Sequence, residues 1–412
     1  MPAPFLLILI MVQKDQINIK RLFEHAVENH KKKNFQVAKK FYEEIIQINP
    51  NLANANYNLG LVFQNLGEYE KAAKCYKKVI EINPKLANPY NNLGIVYANL
   101  GEFSHAINCY VSALDIDANY KNAKENLILT LTWFNSDKNN PIIFANNSLK
   151  KIYKNLDLNE VLTNKNLNVF FKESSQVLSK IQDSIEGINY TETETYRRNS
   201  IDLNCKRHHN VFNEKNIIPK FCFGCFKVQI EPNNVFDLIK LFFIFDDYKF
   251  SNNNWRKCMV ELRSTVKGVY KGLVYCSSLD EAQNILDNIS PTLKKYFEYK
   301  ATIKRGCTEF YEPFPNFKQT DKKESNFMNY NLKWKEIEDE FEKSKNLNKK
   351  KAVETLTGLS ISDFLVINNW LNYAKLIEDH SYEKVSKDFL YSHYISEKLS
   401  SQLGFRKKQL LC

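Results

Sequence analysis

The residues whose chemistry is most suggestive are four cysteines between positions 205 and 307 of this 412-residue chain. Cys222 and Cys225 form a C-x-x-C pair, a spacing that allows two thiolates to chelate one metal ion. Cys205 lies upstream and Cys307 downstream, and a suitable fold would bring all four together. Four thiolates favour zinc or an iron–sulfur cluster as the cofactor. The alternative is that they are small buried apolar residues, as free cysteines often are.

Arginines gather around the same cysteines, although lysine is the common cation of the chain. A guanidinium group offers a planar fork for carboxylate or phosphate. Surface salt bridges with nearby acidic residues such as Glu261 are the alternative. An enzyme acting on a recruited partner or on an anionic small molecule would have its site here. The candidate anion-binding residues are Arg207, Arg256, Arg263 and Arg305.

Composition and motif searches exclude several functional classes. The 58 Lys and Arg against 47 Asp and Glu give a net charge of +11, but the excess is diffuse lysine without a basic block, so nucleic acid is not an expected partner. With 11 Gly, 11 Pro and 43% hydrophobic residues, the chain is neither a fibre nor disordered throughout. We find no phosphate-binding loop, nucleophile elbow, metalloprotease His pair or calcium loop.

The elements that must position these residues alternate between strand and helix patterns. Strands are predicted at 221–230, 257–263, 269–276 and 299–310, with helices at 233–248 and 278–297. Ser278 and Glu281 form a capping box at the second helix, and Ser360 and Asp363 form another downstream. The order β-α-β-β-α-β is that of the ferredoxin-like fold, and we assign it to residues 206–317.

An RNA-binding module is a second alternative for this region. Residues 271–282 are similar to the third strand and second helix of RNA-recognition motifs. That family needs aromatic residues at set positions for base stacking. Leu273 replaces one of them here and only Tyr275 remains, so the resemblance gives weak support to RNA binding.

The N-terminal quarter contains an internal repeat of 34 residues. Leu59-Gly60 recurs as Leu93-Gly94, and Tyr76 recurs as Tyr110. The spacing and these residues resemble the tetratricopeptide repeat (TPR) family, whose unit is a helix–turn–helix pair. The resemblance implies three repeats plus a capping helix over residues 19–134. It also implies a helical solenoid that binds a peptide or protein partner in its concave groove.

One repeat position suggests how such a partner would be held. Asn58, Asn92 and Asn126 recur at 34-residue intervals. In repeats like those of O-linked N-acetylglucosamine transferases, similar asparagines bind an extended peptide backbone, because an amide can both donate and accept hydrogen bonds. Asparagine is common throughout this chain, which is the alternative explanation. The basic residues of a carboxylate clamp are missing, since Tyr57 and Asn91 occupy such positions.

The remaining segments complete an α plus (α+β) organisation. Residues 1–18 are an N-terminal extension whose apolar run is too short to cross a bilayer, and Met11 is a plausible alternative start. Residues 135–205 are predicted to be a helical linker, and residues 318–412 a helical C-terminal region. Nine cysteines, an odd and irregularly spaced set, indicate a reducing, cytoplasmic location.

Overall fold

The computed structural model describes residues 3–163, 166–186, 188, 190–345 and 353–410. The chain divides into two units. Met1–Thr130 with Lys345–Lys351 form the first, and we call its helices the repeat array. Leu131–Ser344 with Ala352–Cys412 form the second, which we call the sheet module. Each is considered by itself below.

The repeat array consists of seven helices among the described residues. They are α1 (Ala3–Lys31), α2 (Phe35–Ile48), α3 (Ala53–Asn65), α4 (Tyr69–Ile82), α5 (Ala87–Leu100), α6 (Phe103–Ile116) and α7 (Lys121–Thr130). Each pair packs against the next along the chain, and α7 packs on α5 and α6. The predicted helical solenoid of the N-terminal region is therefore confirmed, with α7 as the helix that ends it.

Repeated glycines explain why the paired helices approach so closely. A Cβ atom added to Gly60 would lie 2.7 Å from the Tyr76 ring, and one added to Gly94 would lie 2.5 Å from the Tyr110 ring. Both tyrosines are buried in the array core. Gly101 has a φ of +78° after α5, a conformation that strains residues with a Cβ. Each repeat thus keeps a glycine where its two helices touch, in addition to its pattern of apolar residues.

The sheet module opens with helices and continues with the sheet. The helices before and within it are α8 (Pro141–Lys154), α9 (Leu158–Leu162), α10 (Leu167–Ser179), α11 (Gln182–Ile185), α12 (Cys205–Lys215), α13 (Lys220–Phe223), α14 (Val235–Asp247) and α15 (Leu279–Tyr296). The strands are β1 (Glu194–Arg197), β2 (Phe226–Pro232), β3 (Arg256–Val260), β4 (Tyr270–Cys276) and β5 (Tyr299–Arg305). After the sheet come α16 (Lys333–Lys345), α17 (Ile361–Leu376), α18 (His393–Ser400) and α19 (Leu403–Leu410).

The five strands form one antiparallel sheet in the order β1-β3-β4-β2-β5. The expectation of a sheet with interspersed helices is confirmed. Strand β1 lies within residues 135–205, which the sequence predicts to be a helical linker. The structure instead pairs Glu194 with Met259 and buries Thr195. A polar strand suits the edge of a sheet, because polar and charged side chains there disfavour pairing with another chain.

Local backbone geometry shortens two of the predicted strands. Residues before β2 form the turn α13, in which the Cys222 amide donates to the Pro219 carbonyl at 2.9 Å, so the strand begins at Phe226 rather than at 221. Strand β5 ends at Arg305 because Gly306 has a φ of +58°. The predicted caps are close to the observed ones: Ser278 accepts from the Glu281 amide, and Ser360 with Asp363 forms a complete capping box.

The two faces of the sheet differ in character. On one face, α14 packs so closely that a Cβ added to Gly272 would lie 2.4 Å from Leu241. Side chains on the other face alternate with these along each strand. They include Lys227 of β2, Lys257 of β3, Lys271 of β4 and Lys304 of β5. The second face is therefore rich in cations at positions where a sheet usually carries apolar or neutral side chains.

Helix α17 ties the later part of the chain to the sheet. Fourteen of its sixteen residues are buried, including three asparagines. It contacts α14, β1 and β3. Its Asp363 carboxylate accepts from Arg197 of β1 at 3.1 Å. Helix α17, within the predicted helical C-terminal region of residues 318–412, lies in the same unit as the sheet.

Candidate functional site

Two places bring polar side chains together, and the first is the repeat position of the asparagines. The Asn92 amide donates to the Tyr57 hydroxyl at 2.9 Å. The Asn126 amide donates to the Asn91 oxygen at 2.9 Å. Tyr57 and Asn91 are themselves one repeat apart, so the hydrogen bonds connect α3 to α5 and α5 to α7. The result is a ladder of neutral groups along successive first helices of the repeats.

Part of the ladder remains available to accept further hydrogen bonds. Asn58 donates to the carbonyl of Asn54, in its own helix, at 2.9 Å. Among the described residues, no donor reaches the side-chain oxygens of Asn58 or Asn126. Both side chains are half-buried. The array thus presents two open acceptors at equivalent repeat positions, separated by Asn92.

The second place is a cavity of about 250 Å³ on the lysine-bearing face of the sheet, which we call the sheet-face cavity. All four lysines line it, and they come from four different strands. It is also lined by Cys205, His209, Tyr275, Cys307 and Glu309. The cavity shares Leu203, Trp255 and Tyr275 with a larger pocket of about 560 Å³, which also contains Ile201 and Phe221. We call this larger space the adjoining pocket.

Three of the cavity cations have carboxylate partners. Lys257 pairs with Glu194 at 2.9 Å, and Lys271 pairs with Glu261 at 2.8 Å. Arg263 contacts both Glu261 at 2.8 Å and Glu309 at 2.6 Å. The Arg263 and Lys271 charges outweigh the burial that would raise the pKa of Glu261, and that pKa falls to about 2. This carboxylate is consequently ionised at neutral pH although fully buried.

Lys227 has a thiol as its nearest polar partner. Its ammonium lies 3.3 Å from the Cys307 sulfur and 5.1 Å from the centre of the Tyr275 ring. Burial by itself would raise the pKa of Cys307, but the hydrogen bond from His209 and the positive charges of Lys227 and His209 outweigh it. The pKa of Cys307 therefore lies below its ordinary value, whereas burial raises the pKa of Cys205, Cys222 and Cys225.

The four predicted metal-binding cysteines do not meet at coordinating distance. Within the described ranges, ligand atoms of three or more His, Cys, Asp or Glu side chains converge within 4.8 Å only at His209, Cys307 and Glu309. Cys222 instead packs in an apolar cluster with Ile218, Phe310 and Phe317. The Lys227 ammonium beside Cys307 would repel a metal cation there. The zinc or iron–sulfur site stays a prediction, and this arrangement suits an anion better.

The four predicted anion-binding arginines also lie apart. Arg207 pairs with Glu338 and Glu342. The Arg256 guanidinium donates to the Phe245 carbonyl at 2.5 Å, at the end of α14. Arg305 donates to the carbonyls of Phe223 and Met328 and stacks on Phe327. Arg263 alone among the four lines the sheet-face cavity.

Sequence reasoning missed the lysines that surround this cavity. It treated lysine as a diffuse surface charge, yet Lys271 is 2% exposed and Lys257 is 13% exposed. A signal was present in the alternation of each strand, for instance Phe226-Lys227-Val228. A lysine flanked by buried apolar residues in a strand must face the side opposite to them.

Comparison with known families identifies the repeat array. Four models, described as TPR repeat or tetratricopeptide repeat, match residues 20–52, 41–74, 65–101 and 87–120. The N-terminal region therefore consists of tetratricopeptide repeats, as its 34-residue period predicts. These matches leave the sheet module uncovered. No curated protein matches the chain at a significant level.

Three similar solved structures each cover about a third of the chain or less. A Thermobaculum terrenum O-GlcNAc transferase mutant is 25% identical, covers 34% of this chain and 27% of its own, and has a TM-score of 0.28. The Arabidopsis OM64 TPR domain is 22% identical over 28% of this chain and 96% of its own, with a TM-score of 0.28. The second TPR domain of human RPAP3, in complex with an HSP70 peptide, is 16% identical over 28% and 97%, with a TM-score of 0.28. The chain thus spans about a quarter of the first of these proteins.

The described residues contain no helix that combines the length and the apolar character needed to cross a membrane.

Proposed function

We propose that the repeat array is a scaffold that binds an extended peptide segment of a protein partner in its concave groove. The observation that carries this proposal is the pair of open acceptors on Asn58, inside a matched tetratricopeptide repeat, and on Asn126, two 34-residue periods later in α7. Peptide N–H groups recur along an extended chain and match a row of side-chain acceptors.

Asn92 contributes to the same row in a different manner. Its amide already donates to Tyr57, and its oxygen accepts from Asn91 at 3.3 Å. A bound peptide would compete with these neutral contacts, which are modest in net energy. Asn92 therefore holds Tyr57 in place in the free protein and becomes a peptide contact in the complex.

A peptide-display selection on the full chain tests this proposal. The double variant Asn58→Ala with Asn126→Ala, which removes both open acceptors, should weaken the selected peptides by about tenfold or more, since each lost hydrogen bond contributes roughly 0.5–1.5 kcal/mol. Asn51→Ala is the matched control, because Asn51 is exposed in the turn between α2 and α3. Equal affinity for the double variant and the control, with unchanged helicity, would reject the asparagine row.

We further propose that strands β2–β5 with α14 and α15 form a ferredoxin-like module to which β1 is added at an edge. Support comes from the spatial order β3-β4-β2-β5, which places the last strand beside the first, and from the two helices that connect the strands in β-α-β-β-α-β sequence. A cytoplasmic location remains part of the proposal, supported by the eight free cysteines among the described residues.

A further inference from the structure

The sheet-face cavity contains two cations without a carboxylate partner. Within the described ranges, no carboxylate lies within 4 Å of the ammonium of Lys227 or of Lys304. The two lysines face each other directly across β2 and β5. Like charges at directly opposite positions destabilise a sheet. The fold therefore keeps two like charges side by side, and their repulsion costs stability.

The pKa of Lys304 reflects the positive charges around it. Burial lowers the pKa of Lys304, and the charges of Lys227 and Arg263 add to the effect against the opposing charge of Glu231. A negative ligand between the two ammonium groups would relieve the repulsion. Such a ligand would form charge-assisted hydrogen bonds to both.

The thiol of Cys307 does not neutralise the excess positive charge of the cavity. Five cations of Lys and Arg line the cavity, against the carboxylates of Glu194, Glu261 and Glu309 and the more distant carboxylate of Glu231. If Cys307 ionises by passing its proton to His209, one negative and one positive charge appear together. The net charge is the same in both forms, and the two cations without a contacting carboxylate suit an anion that can contact both.

The volume of the cavity and its lining residues indicate which kind of group carries the anion. The cavity volume of about 250 Å³ is several times the roughly 30 Å³ that one water molecule occupies in the liquid. Trp255 and Tyr275 belong both to the cavity and to the adjoining pocket, whose further lining includes Ile201 and Phe221. An anionic group bound near Lys227 thus continues into a space lined by rings and aliphatic side chains.

We propose that the sheet-face cavity binds the phosphate of a small phosphate monoester between Lys227 and Lys304, with the ring of the ligand against Trp255 and Tyr275. A phosphate monoester carries close to two negative charges at pH 7. The adjoining pocket holds the organic part. This site lies in the sheet module and does not depend on the peptide-binding role of the repeats.

Titration calorimetry on the full chain with three probes tests the site. We expect 4-nitrophenyl phosphate to bind at least tenfold more tightly than inorganic phosphate, and 4-nitrophenol to bind more weakly than either. Lys227→Met and Lys304→Met should each lose at least tenfold in affinity for 4-nitrophenyl phosphate. Lys294→Met, an exposed lysine in the last turn of α15, is the matched control and should bind as the wild type does.

Stability and location readouts separate a binding site from a structural role. Each variant removes one of two like charges that repel each other. The thermal midpoint of unfolding should therefore stay equal or rise while phosphate binding is lost. Bound 4-nitrophenyl phosphate should also slow iodoacetamide modification of Cys307, measured by mass spectrometry of the modified peptide. Absence of phosphate binding, equal binding by the variants and Lys294→Met, or equal affinity for 4-nitrophenol would each overturn the proposal. Binding of a ten-nucleotide uridine oligomer without binding of 4-nitrophenyl phosphate would also overturn it and assign the face to RNA.

Discussion

The repeat array and the sheet module satisfy their polar side chains in opposite ways. In the array, neutral groups bond between neighbouring helices, as Tyr76 does with Gln64 at 2.9 Å. In the module, full charges are buried, as with Glu261 and its partner Lys271. The donors of the two ladder bonds, Asn92 and Asn126, are 34 residues apart and can be read from the sequence. Buried charges depend on partners far along the chain, and losing one partner leaves the other uncompensated.

The largest effect should follow from removing the buried arginine of β1. Arg197 is buried and pairs with both Asp246 and Asp363. Arg197→Met leaves two buried carboxylates without a counter-charge and should lower the free energy of unfolding of the module by about 3–5 kcal/mol. All four tryptophans lie in the sheet module, so urea unfolding followed by tryptophan fluorescence reports on this unit.

The matched control for that variant is Arg21→Met on α1 of the array. Arg21 is exposed and contacts only Asn18 at 3.5 Å among the described residues. We expect it to change the fluorescence-detected transition by less than about 0.5 kcal/mol. A loss below 1 kcal/mol for Arg197→Met would contradict the view that buried charges organise the module.

A pH series on Glu261→Gln should show a smaller effect. The pKa of Glu261 is about 2 in the folded protein against an ordinary 4.5, because Arg263 and Lys271 outweigh its burial. The stabilisation is therefore complete above about pH 4.5 and disappears as the pH falls toward 2. From this difference we expect Glu261→Gln to cost about 3 kcal/mol at pH 7.

Urea unfolding between pH 2.5 and pH 7 measures this dependence. The gap between Glu261→Gln and the wild type should narrow steadily below pH 4.5. Glu309→Gln, which removes an exposed carboxylate that also contacts Arg263, should show a much weaker version of the same trend. A cost for Glu261→Gln that is equal at both ends of the pH range would show that packing, not charge, accounts for it.

The smallest of the three effects concerns space in the array. Gly94→Ala would place a Cβ atom 2.5 Å from the Tyr110 ring, so α5 and α6 must move apart. Overpacking of this kind costs roughly 1–3 kcal/mol, and the better helix propensity of alanine offsets part of it. We expect a net loss of about 1–2 kcal/mol, measured by circular dichroism at 222 nm during thermal unfolding.

A glycine in the sheet module provides the control for this substitution. Gly404 lies in α19, and a Cβ atom added there meets nothing within 4 Å. Gly404→Ala should be neutral or stabilising by up to about 1 kcal/mol. If Gly94→Ala were equally harmless, the close helix pairing would not be a constraint on the repeat.

The sequence predicts the array well because its information is local. Helix-forming stripes, Gly67 and Gly101 after the first helices, and Pro50 and Pro84 after the second ones all act within one 34-residue unit. Every later repeat restates the same constraints, so agreement between copies reinforces the prediction. The asparagine ladder was visible for the same reason, although its partners Tyr57 and Asn91 were not.

The cavity was harder to predict because its residues meet only through strand register. Lys227 and Cys307 are 80 positions apart, and Lys227 faces Lys304 through the pairing of β2 with β5. A shift of one residue in that register would turn each lysine to the opposite face. Residue type alone directed attention to the arginines, three of which proved to bond to backbone or to carboxylates elsewhere. The lysines were identifiable only by alternation along each strand.

The pairing of Arg197 with Asp363 has a consequence for how the protein is made. The two residues are separated by 166 positions, and α17 must be complete before the carboxylate can reach β1. At a synthesis rate of about 5–20 residues per second, the ribosome needs roughly 10–30 s to add that length. For this interval the nascent sheet lacks one of the two counter-charges of Arg197 and the helix that contacts β1 and β3. The nascent chain therefore exposes the surface of β1 and β3 that α17 later covers, long after its N-terminal repeats have left the ribosome.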